Sequence, residues 1–128
     1  MDDRFKFRIP MFTDKGHFVE FQYLDLGDEI ECTLCGSNGK PQHCTGLKDK
    51  NGKLIYENDI LHEKIINDVF PKGKYWIVKW DNNQARFYIE LINKTGNSLT
   101  DFWHLARHDL DYEVVGNVFE NEELINNV

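Results

Sequence analysis

Cysteine is scarce and odd in number, with three among 128 residues, which argues against a disulfide-stapled scaffold and leaves the core to apolar burial. Long apolar runs are missing too. No segment approaches the roughly 18 consecutive apolar residues that a membrane-spanning helix needs. No apolar run follows Met1-Asp2-Asp3-Arg4, so a soluble chain with no secretory signal, acting in the cytoplasm, is expected. Positive charge is in deficit: 15 Lys and Arg against 22 Asp and Glu give a formal charge of −7, which disfavours non-specific nucleic-acid binding, since that affinity comes from neutralising phosphates. After Arg107 there is no Lys or Arg, while Asp109, Asp111, Glu113, Glu120, Glu122 and Glu123 follow; a solvated acidic end accounts for this run. The chain also lacks a G-x-S-x-G, an H-E-x-x-H, a glycine-rich phosphate loop and a kinase-like run, so no familiar catalytic frame is in view.

What is present is a strand pattern. Hydrophobic residues at 41% and aromatics at 13% exclude disorder, and the length suits one compact unit. Arg4 to Ile9 alternates, with Phe5, Phe7 and Ile9 opposed to Arg4, Lys6 and Arg8, until Pro10 stops the strand or makes it an edge. Strands are expected again over His17–Leu24 and Glu29–Leu34. The clearest alternation sets Trp76, Val78 and Trp80 against Tyr75, Ile77 and Lys79, and after a turn at Asp81–Gln84 the residues Ala85, Phe87, Ile89 and Leu91 answer across a hairpin. Trp76, Trp80, Phe87 and Ile89 are therefore expected to form one buried cluster. Leu99–Arg107 reads as loop or short strand. Tyr112–Glu120 reads as a last strand with a bulge or tight bend at Gly116, and Asn121–Ile125 as a capped helical turn. Short strands with turn chemistry between them, and no long helical period, indicate an antiparallel barrel or sandwich.

The central stretch is Thr45-Gly46-Leu47-Lys48-Asp49-Lys50-Asn51-Gly52-Lys53-Leu54-Ile55-Tyr56-Glu57-Asn58-Asp59-Ile60-Leu61. Asn51-Gly52 predicts a tight hairpin turn with both residues left-handed. Beyond it, Leu54, Tyr56 and Asn58 are expected on one strand face and Ile55, Glu57 and Asp59 on the other. This run resembles the signature of the YopX family of phage and prophage proteins. Lys6-Phe7-Arg8 is similar to that family's opening, and Tyr112–Asn121 to its closing run. Asn58 stands where the family mostly has Gly, and Asn is the residue best able to keep a positive φ there. The resemblance implies an SH3-type small barrel from about Thr45 onward, so the expected architecture is mainly β: an N-terminal β segment over residues 1–44 packed on a barrel region over 45–128.

Chemistry is thinly represented. Cys32-Thr33-Leu34-Cys35 with His43 and Cys44 could supply four tetrahedral zinc ligands. Adjacent His43 and Cys44 on a strand point to opposite faces, however, so reduced cysteines without metal are expected. Glu57 and Asp59 on one strand face could serve acid–base work, but same-face carboxylates near a turn are more often solvated. The histidines His17, His43, His62, His104 and His108 are scattered. Lys48, Lys50 and Lys53 with Tyr56 could hold phosphates and stack a base; a charged tip that keeps an edge soluble explains them as well. No catalytic, cofactor-binding or metal-ligating residue is assigned and no cofactor is expected. The resemblance implies phage or prophage origin but no biochemical activity. The expected function is a non-enzymatic accessory protein that binds an unidentified host or phage protein, with a homo-oligomer left open. The alternative is a nucleic-acid-binding barrel whose basic face combines Arg4, Lys6 and Arg8 with the Lys48–Lys53 tip.

Overall fold

The computed structural model describes residues 5–25, 28, 37–64, 68, 72–92, 98–101 and 112–126. The fold is mainly β, and one sheet is curled into a half-barrel. The first sheet holds β1 (Phe7–Phe12), β2 (Phe18–Leu24), β3 (Ser37–Asn38), β4 (Gln42–Lys48) and β5 (Leu54–Tyr56), in the order β2-β1-β4-β5 with β3 also paired to β1. The second holds β6 (Asp59–Glu63), β7 (Lys74–Asp81), β8 (Arg86–Leu91), β9 (Ser98–Asp101) and β10 (Tyr112–Asn117), in the order β10-β6-β7-β8-β9. A short helix, α1 (Glu122–Asn126), follows. All described pairings are antiparallel.

The alternation of the tryptophan strand translates directly into register. Trp76 faces Leu91, Val78 faces Ile89 and Trp80 faces Phe87 across β7 and β8. Trp76, Val78, Ile89 and Leu91 join Ile55 and Leu61 in the main core, with Leu47, Phe87, Tyr112 and Val114 packed on it. The Trp76 indole N–H donates to Glu63 Oε2 at 2.9 Å, inside the protein. Trp80 departs from expectation: it is 39% exposed, packs edge-on against Phe87 at 4.9 Å between ring centroids, and donates to Asn82 Oδ1. It stands at the hairpin end of β7, beside the turn. The opposite face of the second sheet carries Ile60, Ile77 and Ile92, packed on by Tyr75, Val115, Val118, Leu124 and Ile125. Burying both faces explains why β7 reads as strongly apolar on one side and half apolar on the other.

Pro10 neither ends β1 nor leaves it at an edge. The strand runs through it to Phe12 and lies between β2 and β4. The Pro10 carbonyl accepts from Gly39 N at 2.8 Å, on the side where the pairing of β1 passes from β4 to β3. The missing N–H thus falls in the gap between two partners, where no ladder bond is lost. Both faces of β1 are buried as a result: Ile9 and Met11 pack with Leu24 and Phe7 on one, and Arg8 and Pro10 occupy the other. Gly116 sits at a bulge in the β10–β6 ladder. A methyl group there would collide with the Asn121 side chain, whose Oδ1 accepts from Asn117 N. The expected strand over Glu29–Leu34 and most of Leu99–Arg107 lie outside the described residues.

Trp76→Ala is expected to cost about 3–5 kcal/mol, the penalty for emptying a large core site, whereas Trp80→Ala should cost on the order of 1 kcal/mol, the worth of an exposed aromatic pair. Urea denaturation of the two variants checks the ranking; equal losses would contradict this placement of the core.

Candidate functional site

Nearly every distinctive residue of the signature hairpin has a structural task. Cys44 pairs with Tyr56 and Lys48 with Leu54, so Thr45, Gly46 and Leu47 bulge opposite Ile55. The Thr45 hydroxyl donates to Ile55 O at 2.8 Å and accepts from Leu47 N at 3.1 Å, Gly46 takes φ +84°, and Leu47 enters the core. The tip is not the two-residue turn that Asn51-Gly52 suggested. Gly52 N donates to Asp49 O, and Asp49 N to Lys53 O; of the pair, only Gly52 is left-handed, at φ +82°. This is the three-residue loop, a type I turn followed by a glycine bulge. Its signal was the Asp three residues before Gly.

Asp49 is buried and closes the loop. Its Oδ1 accepts from Asn51 N and Lys53 N, and its Oδ2 from Val114 N on β10, each at 2.9 Å. Lys50 N donates to Tyr112 O, and Asn51 Nδ2 to Glu113 Oε2. The tip is therefore latched along β10, an edge strand of the second sheet. Lys48, Lys50 and Lys53 are exposed, but Tyr56 is buried. It cannot stack a base beside them. Burial above all pushes its phenol up to about 12, with the Cys44 thiol and the Tyr23 phenol adding to the rise.

The second centre joins the sheets. After Tyr56 the strand breaks at Glu57-Asn58, where Asn58 adopts φ +69°, as its place in the glycine position implied. The chain crosses there from β5 to β6, so Glu57 and Asp59 do not share a strand face. Asp59 Oδ2 accepts from Tyr56 N at 2.8 Å, and Asp59 Oδ1 pairs with Arg8 Nη2 at 2.8 Å, each side chain 3% exposed. Arg8 also donates from Nε to Gln42 Oε1 and from Nη2 to Glu57 O, both at 2.9 Å. Its guanidinium lies 3.9 Å from the Phe21 ring centre and 5.0 Å from that of Tyr56. The expected polar face of β1 is thus an internal bridge, and Arg8 is withdrawn from any basic surface. Arg4 lies outside the described residues. Burial pushes the Asp59 carboxyl up from its ordinary value of 3.8, while Arg8 and the Tyr56 N–H pull it back.

Beside this bridge opens a groove of about 230 Å³, lined by Pro10, Phe12, Gly39, Lys40, Pro41, Gln42, Glu57, Asn58 and Phe119. Phe119 stacks on Phe18 at 5.5 Å and meets Phe12 and Phe21 edge-on at 5.7 and 5.8 Å, so the floor is a fixed aromatic cluster. Gly39 lets the strap over the floor come close, since a Cβ there would lie 2.8 Å from Pro10 Cγ. The side chains of Lys40, Glu57 and Asn58 form no hydrogen bond or ion pair among the described residues. Nothing in the alternation of single strands pointed to this groove, because its lining comes from four separate stretches of chain.

The other candidates do not converge. Cys32 and Cys35 lie outside the described residues; His43 is exposed and Cys44 buried, on opposite faces of β4. His17 lies in the β1–β2 turn, and His62 on β6 faces Tyr75 and Lys72 O. His104 and His108 lie outside the described residues.

The sheet order, the crossing at Glu57-Asn58 and the curled sheet define a small antiparallel barrel-like β protein with a groove where the sheets meet. The sequence profile described as YopX protein matches residues 18–126, and the chain belongs to the YopX family. No curated protein matches it.

Two outcomes test these centres. Asp49→Ala strands three backbone N–H groups and should cost roughly 3 kcal/mol, against about 1 kcal/mol for Gly52→Ala and under about 0.5 kcal/mol for charge reversal at Lys48 or Lys50; thermal melts rank them. For Arg8→Met, the sign follows from Asp59. A carboxyl raised above its unfolded value binds its proton more tightly when folded, so this group's contribution is largest below about pH 4 and declines as pH rises. Losing Arg8 should therefore cost about 3–5 kcal/mol near neutral pH and distinctly less near pH 4, measured by denaturation across pH. A loss that ignores pH would refute the ion pair's part in stability.

Proposed function

We propose that this protein is a non-enzymatic accessory protein of a phage or prophage, acting in the bacterial cytoplasm by binding another protein through the groove beside Phe119. The phage setting rests on the YopX membership. The observation that carries the binding reading is the groove itself: a fixed aromatic floor under three polar side chains with no hydrogen bond or ion pair among the described residues. Its volume of about 230 Å³ is below the roughly 300–1,000 Å³ of small-molecule and cofactor sites. It matches one or two side chains of a protein partner. The nucleic-acid alternative is weakened at its source, because Arg8 is spent on Asp59 and Tyr56 is buried.

The test is affinity capture from host lysate with wild-type bait and with Pro41→Ser, which removes an exposed wall of the groove and leaves the core intact. A specific protein should be retained by wild type and lost by the variant at unchanged melting temperature. Capture that ignores Pro41, or retention of nucleic acid with a steep salt dependence, would refute the reading.

A further inference from the structure

The chemistry of the groove narrows the kind of partner. Two of its walls are prolines, Pro10 and Pro41, which have no N–H to offer, and the Pro10 carbonyl is already taken by Gly39 N. The Glu57 carbonyl is taken by Arg8 and that of Asn58 by Val118 N. These three carbonyls are not left to add a strand, which favours recognition through side chains. Phe12 and Phe119 provide an apolar seat. Among the described residues, neither the Glu57 carboxylate that flanks that seat from the β5–β6 turn nor the Asn58 amide beside it has a partner. Lys40, on the opposite strap, is the single cation in the lining among the described residues. Phe119 is itself followed by the acidic Glu120, Glu122 and Glu123, and the whole chain carries −7, so the long-range field around the groove favours a cationic ligand.

We infer that the groove takes an extended protein segment in which one bulky apolar side chain, seated on Phe12 and Phe119, is adjacent to an Arg or Lys that pairs with Glu57. This rests on the protein-binding reading above and adds to it the charge and form of the bound segment.

The probe is a displayed library of random linear heptapeptides selected on the full chain, followed by fluorescence anisotropy with the synthetic consensus peptide. The consensus should hold an apolar residue next to Arg or Lys. Its affinity should fall by about tenfold in Glu57→Lys, where one attraction becomes a repulsion, and rise by a few-fold in Lys40→Glu. Pro41→Ser should weaken it as well, and all three variants should melt like wild type, since none of these side chains forms a hydrogen bond or ion pair or belongs to the buried core among the described residues. A consensus rich in Asp and Glu, a reversed order of the two charge variants, or binding that needs Pro41 but ignores both charges would overturn the inference and leave the groove as a protein-binding site. Failure to select any peptide whose binding depends on Pro41 would overturn both.

Discussion

A buried ion pair links the two sheets where the chain crosses between them. Arg8 belongs to the first sheet and Asp59 to the second, and their 2.8 Å contact lies in the interior between the rings of Phe21 and Tyr56. Taking both charges out of water is costly, and the arrangement compensates by filling the remaining hydrogen-bonding capacity with Gln42, the Glu57 carbonyl and the Tyr56 N–H. A buried pair of this kind adds little net stability over an apolar substitute, but it tolerates few alternative geometries. It fixes where β1 lies against the β5–β6 crossing, and the groove borders on that same junction.

The residues that make the family signature recognisable are mostly occupied with the fold. Thr45, Gly46, Asp49, Gly52 and Asn58 each satisfy a bulge, a turn or a crossing, and the tip that carries the lysines is tied to β10. The groove draws on other positions. Of the signature run it uses only the Glu57-Asn58 corner, and the rest of its lining comes from β1, the strap at Gly39–Gln42 and Phe119. A barrel of this design can keep its hairpin constant while the lining of its groove varies.

Local alternation carried much of the fold. The β7–β8 register, the bulge at Gly116 and the turn at Asn121 were legible because each depends on neighbours in sequence. Trp80 was misjudged because period-two reasoning gives the face of a strand, not how far burial extends along it. Arg8 and Asp59 were misjudged for a related reason: a charged residue in an alternating strand is read as solvated unless its partner is known, and that partner lies far along the chain. The groove was illegible altogether, since its lining exists only after the sheets have met.

The separation between Arg8 and its partners has a consequence for the order of events during synthesis. The guanidinium binds Gln42 and Glu57 at sequence separations of 34 and 49 residues, so β1 and β2 leave the ribosome long before any of these groups exists. Until β5 and β6 emerge, the β1–β2 hairpin must wait with Arg8 hydrated and its aromatic face only partly covered. Closure of such distant contacts is slow compared with hairpin formation. The nascent chain therefore passes through a stage in which its N-terminal hairpin is exposed to solvent and to chaperones, and that stage ends only when the Glu57-Asn58 corner has been made.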